Sequence, residues 1–302
     1  MKNKNAVGIV CAIGCEVLYG ISYIFTKSAT AEVSVLTLLA WRFFFAFAVM
    51  NLLVLLRVVK VDFKGKNLLG LLRIGMLFPV IYFVCETVGI SMTTASESGT
   101  FLACTPVAAL LASTLIAKKK PSKIQVTGVC ITLAGVIITV LDVGLEASLS
   151  VMGYLMLLMG VIAYSVYCVC VEESPEFSGA EVTYAMLAVA CVIYAVSALS
   201  EAIPSGFGEL LTAPLHSPGL IRALLFQGLG CSIGAFFMTN VALGTIGVNR
   251  TSSFIGLSTI FSIVTGVFIM KESFTLFQAV GAVVIICGVY TANMKYSNLS
   301  SQ

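Results

Sequence analysis

Residues 119–136, KKPSKIQVTGVCITLAGV, align without a gap on residues 272–289, ESFTLFQAVGAVVIICGV. Gln125 falls on Gln278, Gly128 on Gly281, Gly135 on Gly288 and Val136 on Val289, each pair separated by the same 153 residues. Self-similarity at so long a period marks a chain built from two copies of one unit. The expected halves are residues 1–148 and 149–302.

Hydrophobic residues make up 59% of the chain and charged residues 10%, with a mean hydropathy of +1.05. Such a balance cannot clothe a water-soluble surface, so the solvent is a bilayer. Apolar stretches long enough to cross roughly 30 Å of hydrocarbon run over 6–26, 34–56, 68–90, 95–117 and 123–141, then 150–171, 182–203, 219–243, 247–270 and 274–294. Backbone polar groups in lipid must be satisfied within their own segment, so each stretch is expected as a helix. The expected class is therefore an all-α polytopic membrane protein with ten transmembrane helices, five per copy. Lys2 and Lys4 precede the first apolar run as in a signal peptide, but Glu16 interrupts that run and no small-residue cleavage pattern follows, so this helix is read as retained.

Lys and Arg near helix ends stay preferentially in the cytoplasm. The connection between helices 2 and 3 carries Arg57, Lys60, Lys64 and Lys66, and that between helices 4 and 5 carries Lys118, Lys119, Lys120 and Lys123. Both are expected inside, with Lys2, Lys4, Arg250, Lys295 and the two termini. The 6 to 7 connection on the same side is acidic, with Glu172, Glu173, Glu176 and Glu181, and Lys271 falls outside. Acidic residues carry little topological weight, so the orientation stands.

A unit of five spans copied in tandem must enter upside down the second time. The expected architecture is thus two inverted five-helix repeats about a pseudo-twofold axis in the membrane plane, a common basis of alternating access with the binding site near midplane. The net charge of +3 sits at cytoplasmic helix ends and calls for no nucleic-acid partner.

Gly20 in helix 1, Trp41-Arg42-Phe43 in helix 2, Pro106 in helix 4, the doubled Gln-x-x-Gly with its later Gly, and Lys271-Glu272 before helix 10 together resemble the EamA branch of the drug/metabolite transporter superfamily. Two positions depart from that pattern: Lys119 stands where the first half usually has Glu, and Thr259 stands opposite Pro106. The resemblance implies a secondary carrier of small solutes in a bacterial plasma membrane, commonly an exporter, and leaves the solute open. The expectation drawn is export of a small amino-acid-like metabolite, with a multidrug or organic-cation exporter of the same fold as the alternative.

Ionisable residues inside the membrane are costly and mark function or pairing. Glu16 lies about 15 Å along the first span, near midplane. With Tyr19, Gly20, Tyr23 and Lys27 it follows helical spacing on one face, as the wall of a wet cavity would. Glu16 is read as a proton or cation site, or as a carboxylate paired with a neighbouring helix; small multidrug transporters, which the chain locally resembles, place such a Glu at their proton and substrate site. Helix 6 keeps Tyr164 opposite Tyr19 but has Val161 opposite Glu16, both 145 residues on. Arg42 and Glu86, with Tyr82 one turn before the latter, are expected to meet, either as a structural ion pair or as a site for a substrate carboxylate. Pro79 is expected to bend helix 3 toward the cavity. Gln227 and Asn240 are cavity-lining candidates, and Lys27, Glu97 and Arg250 gate candidates. Glu97 also fits a capping box with Thr94, and Arg250 a cytoplasmic anchor.

Gly230 and Gly234 form a small-xxx-small face, and the doubled glycines are expected to pack helices 5 and 10 within each repeat. The ten cysteines lie within the spans without metal-ligand spacing and read as small apolar filler. His216 is the lone histidine, so no cofactor or metal is expected. An intramembrane enzyme would need a nucleophile and base or a phosphate-binding loop, which the sequence lacks, and a sensor would usually carry a soluble domain.

Overall fold

The computed structural model describes residues 2–92, 102, 104–141, 150–204, 206–269 and 275–293, and among them every regular element is helical. The principal helices are α1 (Lys2–Thr30), α2 (Val35–Leu55), α3 (residues 68–92), α4 (Thr105–Leu115), α5 (Lys123–Leu141), α6 (Val151–Glu172) and α7 (Gly179–Ala202). They continue with α8 (Pro218–Ile246) and α9 (Val248–Ile269) and α10 (Leu276–Asn293), while a short helix, Gly208–His216, precedes α8. Eight helices are long and apolar enough to cross a membrane, whereas α4 and the 123–138 stretch of α5 are apolar but shorter. Among the described residues eight of the ten expected crossings therefore stand on length, and α4 and α5 are the two that do not. Large apolar side chains such as Leu55, Leu115, Phe268 and Leu276 face outward, a liability in water and the natural face toward hydrocarbon.

Helix starts follow from local chemistry. Ser34 Oγ accepts the Thr37 N–H at 3.1 Å and Asn67 Oδ1 accepts that of Leu69 at 3.1 Å, so each takes up an orphan donor of the first turn. The doubled Gln turns out to be a doubled capping box. The Ser122 N–H donates to Gln125 Oε1 at 2.9 Å while the Gln125 N–H donates to Ser122 Oγ at 3.2 Å, and Thr275 with Gln278 repeats both bonds at 3.2 Å. The Thr94–Glu97 box lies outside the described residues.

Packing is paired across the halves. α2 lies on α7, α1 on α8 and α9, and α6 on α3 and α4, while α5 lies along α10. In this last seam Gly128 abuts the Ala292 backbone, Gly288 abuts Thr132 and the Gly128 carbonyl, and Gly135 abuts Ile285 and the Gly281 carbonyl. The two helices are antiparallel, and the glycines join the halves rather than packing each repeat internally. The reason is that a glycine stripe pays out only against a backbone that can come equally close, and the repeated stripe supplies one. Gly128→Ala is expected to push these backbones apart and destabilise the protein by about 1–3 kcal/mol. Gly70→Ala, where a Cβ meets nothing within 4 Å, should instead be stabilising by up to about 1 kcal/mol through helix propensity. Thermal midpoints in detergent that move the same way for both variants would refute the tight seam.

The two ends of the bundle are defined by the same contacts. At one end the start of α1 meets the end of α8, with Gly8 against Thr245 and Ile246; at the other the end of α1 meets the start of α8, with Gly219 against Glu32 and Ser28. The basic 2 to 3 and 4 to 5 connections lie at the first end, where Lys66 and Lys119 reach the acidic 6 to 7 connection. A cavity of about 440 Å³ opens at the second, lined by residues that include Glu32, Glu201, Glu209 and His216.

Candidate functional site

α1 is apolar through its middle except for Glu16, which is only 5% exposed. The Cys15 thiol lies 3.7 Å from Glu16 Oε1, and the Ser258 side chain of α9 approaches the same carboxylate. Among the described residues Glu16 forms no ion pair with Lys or Arg. Gly20 brings α9 close, since a Cβ there would stand 2.5 Å from the Ser258 carbonyl; the missing side chain serves helix approach. Tyr19, one turn from Glu16, shares a 3.4 Å hydrogen bond with Thr239 of α8. Tyr23 and Lys27 occupy α1, and their side chains are outside the described residues.

α3 supplies the facing wall. Its residues 76–81 hold a kink between two helical segments at Pro79, where Phe78 leaves helical dihedrals at φ −142° and ψ 118°. Proline removes a ladder N–H, and the Tyr194 hydroxyl of α7 reaches the Pro79 and Val80 carbonyls at 3.2 Å each. Phe78 is the hub of an aromatic cluster, with ring centroids of Tyr82, Tyr164 and Tyr167 at 5.1, 5.3 and 4.9 Å. Tyr82 donates its hydroxyl to Glu86 Oε1 at 2.7 Å, and its ring lies 5.6 Å from that of Tyr164. Glu16 is within electrostatic range of both Tyr82 and Tyr164. Thus Glu16, Tyr19, Tyr82, Glu86 and Tyr164 converge from α1, α3 and α6.

The Arg42–Glu86 contact differs from expectation. Arg42 is buried, its Nε donates to Ser232 Oγ of α8 at 2.8 Å, and its guanidinium stands 5.3 and 5.1 Å from the ring centroids of Phe43 and Phe83. No ion pair joins it to Glu86 among the described residues, although the two remain within electrostatic range. A planar cation is held here by flanking aromatic faces and by the π-helical stretch Leu224–Ala235, which turns Gln227, Gly228, Cys231 and Ser232 inward together. Within this stretch Gly228 packs against Phe45, while Gly230 meets Leu18 at 3.7 Å and Gly234 the Leu229 carbonyl at 3.5 Å and Leu18 at 3.6 Å.

The other candidates lie apart from this centre. Gln227 Nε2 donates to the Ser22 carbonyl at 2.9 Å and to Thr26 Oγ1 at 2.5 Å, tying α8 to α1 toward the cavity end. Asn240 accepts the Tyr167 hydroxyl at 2.7 Å and donates to Thr183 Oγ1 at 3.0 Å, an interior network that fastens α6, α7 and α8. Arg250 Nε donates to Asn293 Oδ1 at 3.2 Å, linking α9 to α10. Glu97 lies outside the described residues. Among the described residues no group of three or more His, Cys, Asp or Glu is placed to hold a metal ion.

A helical bundle that brings tyrosines and two carboxylates, Glu16 and Glu86, together matches the model of the EamA-like transporter family over residues 6–141 and 151–294. The chain belongs to the EamA-like transporter family. Similar proteins include two from Bacillus subtilis (strain 168), the uncharacterized transporters YcxC, 26% identical over 297 residues covering 98% of this chain and 95% of that protein, and YyaM, 25% identical over 305 residues covering 97% and 95%. An uncharacterized transporter of Archaeoglobus fulgidus is 22% identical over 276 residues, covering 91% and 93%. A solved crystal structure with 19% identity shares the fold at a TM-score of 0.76, covering 98% of this chain and all of its own. An EamA-like chain is a transporter rather than an enzyme, embedded in lipid and acting on small molecules.

Sequence reading missed Phe78, Tyr167, Ser232, Thr239 and Ser258, which complete this EamA-like centre. Pro79 pointed to the first of them, since a proline inside an apolar run commonly marks a local change of winding. The hydroxyl residues carried no such signal, because helical Ser and Thr usually bond back to their own turn.

Proposed function

We propose that this transporter exports a small, amino-acid-like metabolite across a bacterial plasma membrane by alternating access, with proton movement coupled through Glu16. The observation that carries the reading is the buried Glu16, without a basic partner among the described residues and within electrostatic range of Tyr82 and Tyr164. A carboxylate with ring faces suits a protonated amine, which gains both charge pairing and cation–π contact. Arg42 would meet the substrate carboxylate by leaving Ser232, and Glu86 would orient it. Gln227 and Asn240 are given supporting roles in keeping α8 in register with α1 and α7.

Two inverted five-helix repeats, residues 1–148 and 149–302, are the proposed machinery. The packing supports it, because α1 on α8 and α9 exchanges with α6 on α3 and α4, and the antiparallel glycine seam maps onto itself when the halves are exchanged. The kink of α3 at Pro79 and the π-helical stretch of α8 occupy corresponding helices and are natural places for bending. The end bearing the basic connections is assigned to the cytoplasm by the positive-inside rule, with both termini there.

An organic cation is the second substrate class, favoured by the surplus of Glu16 and Glu86 over an Arg42 already engaged by Ser232. A proteoliposome flux screen of amino acids and organic cations, with and without an imposed pH gradient, distinguishes them. Gradient-driven flux of zwitterions is the expected result; flux confined to permanent cations selects the second class, and flux of neither class sinks both.

A further inference from the structure

We infer that Lys119 is the latch of a cytoplasmic gate, closed here on Glu172 and Glu173 at the end of α6. Lys119 Nζ lies 3.1 Å from Glu172 Oε1 and 2.8 Å from Glu173 Oε1. Glu172 carries the link onward, since its Oε2 accepts the Val248 N–H at 3.0 Å in the first turn of α9. A carboxylate at a helix N-terminus takes up an orphan donor and faces the positive end of the dipole. Gly247 leaves room for it: its φ is +77°, and a Cβ there would stand 2.7 Å from Glu172 Oε1. The Asn249 amide completes the ring on the Lys119 carbonyl at 3.5 Å. One lysine of the first half thus ties together the 4 to 5, 6 to 7 and 8 to 9 connections, and the hydrogen bonds it donates to Glu173 and Glu172 hold its ammonium above the ordinary lysine pKa.

A second link at the same end shows which of the two opens. Lys66 Nζ lies 2.8 Å from both oxygens of Glu181. That carboxylate also accepts the Asp62 and Ser178 N–H groups, at 3.0 and 2.8 Å, within the capping box of α7. With Glu181 side-chain exposure at 6% and four bonds to hold it, this link is a fixed fastening. The Lys119 side chain is 47% exposed and that of Glu173 50%, against 16% for Glu172, so water can take over Lys119 and Glu173 as the link parts while Glu172 keeps the Val248 N–H, and the exposed bond contributes little net stability. A gate needs that balance, closed by a margin that a transported solute can reverse. The acidic 6 to 7 connection is accounted for at the same time as the counter-charge of the two basic ones. The opposite end, meanwhile, holds the open cavity beside Glu32 and Glu201.

The latch rests on the alternating-access reading, and its test needs no transported solute, so the two can fail separately. The experiment is hydrogen–deuterium exchange of the full chain in lipid nanodiscs, comparing wild type, Lys119→Ala and Lys119→Arg. Lys119→Ala is expected to speed exchange at amides 247–251 about fivefold, the scale of a partly exposed ion pair. It should also slow exchange around residues 203–217 at the cavity end, because opening one end closes the other. Lys119→Arg, which keeps the charge, should match wild type. Faster exchange at 247–251 with no change at 203–217 would make the contact a local fastening and overturn the latch, as would unchanged exchange at both. Should Lys119→Ala fail to fold, the pair Glu172→Gln and Glu173→Gln cuts the same link from the other side and is read by the same two outcomes.

Discussion

Glu16→Gln is expected to leave the fold intact and to abolish the pH-gradient-driven part of solute flux. The amide matches the carboxylate in size, and the pocket formed by Cys15 and Ser258 accepts a neutral group without leaving a charge buried. What the variant loses is the proton it can exchange and the charge it can offer a substrate amine. A hydrogen bond to a charged group is worth about 1.5–3 kcal/mol, so substrate affinity should fall on the order of 10–100-fold. The measurement is initial flux in proteoliposomes at several imposed pH differences, wild type against variant. Parallel pH dependence in the two proteins would remove Glu16 from coupling and turn attention to Glu86, whose carboxylate already holds the Tyr82 hydroxyl at 2.7 Å.

Much of this centre could be read from one dimension, and the exceptions share a cause. The α1 stripe was legible because a carboxylate, a tyrosine and a glycine at helical spacing must share a face, and the structure places Glu16, Tyr19 and Gly20 against neighbouring helices. Tyr82 and Glu86 were legible for the same reason. The Arg42–Ser232 bond was not legible because its partner lies 190 residues away on another helix, and no local spacing within α2 points to it. The glycine seam was legible as small faces, but its direction was not. Periodicity within one helix says what it can approach closely, and only the fold says that α5 meets α10 across the halves. The capping boxes at Ser122 and Thr275 were open to inspection, since Ser or Thr followed three residues later by Gln is their signature.

Arg42→Ala is expected to cost about 3–5 kcal/mol of stability, the scale for removing one member of a buried charged network. The guanidinium joins three elements at once: Ser232 of α8 through its Nε, Phe43 of α2 and Phe83 of α3 through their ring faces. Truncation removes a charge-assisted hydrogen bond and two cation–π contacts, each of the latter about 1–2 kcal/mol where water is excluded, and leaves Glu86 without its nearest counter-charge. Arg42→Lys should fall between wild type and alanine, because an ammonium keeps the charge but cannot present a planar face to both rings. Ser232→Ala, which strands one N–H while the rings still hold the cation, should cost only about 1–3 kcal/mol. The check is the thermal midpoint of each variant in detergent, followed by size-exclusion recovery. If Arg42→Ala proves no less stable than Ser232→Ala, the aromatic faces contribute nothing to holding the guanidinium. Arg42 would then be free to turn toward the cavity, and the reading in which it leaves Ser232 for a substrate carboxylate would gain accordingly.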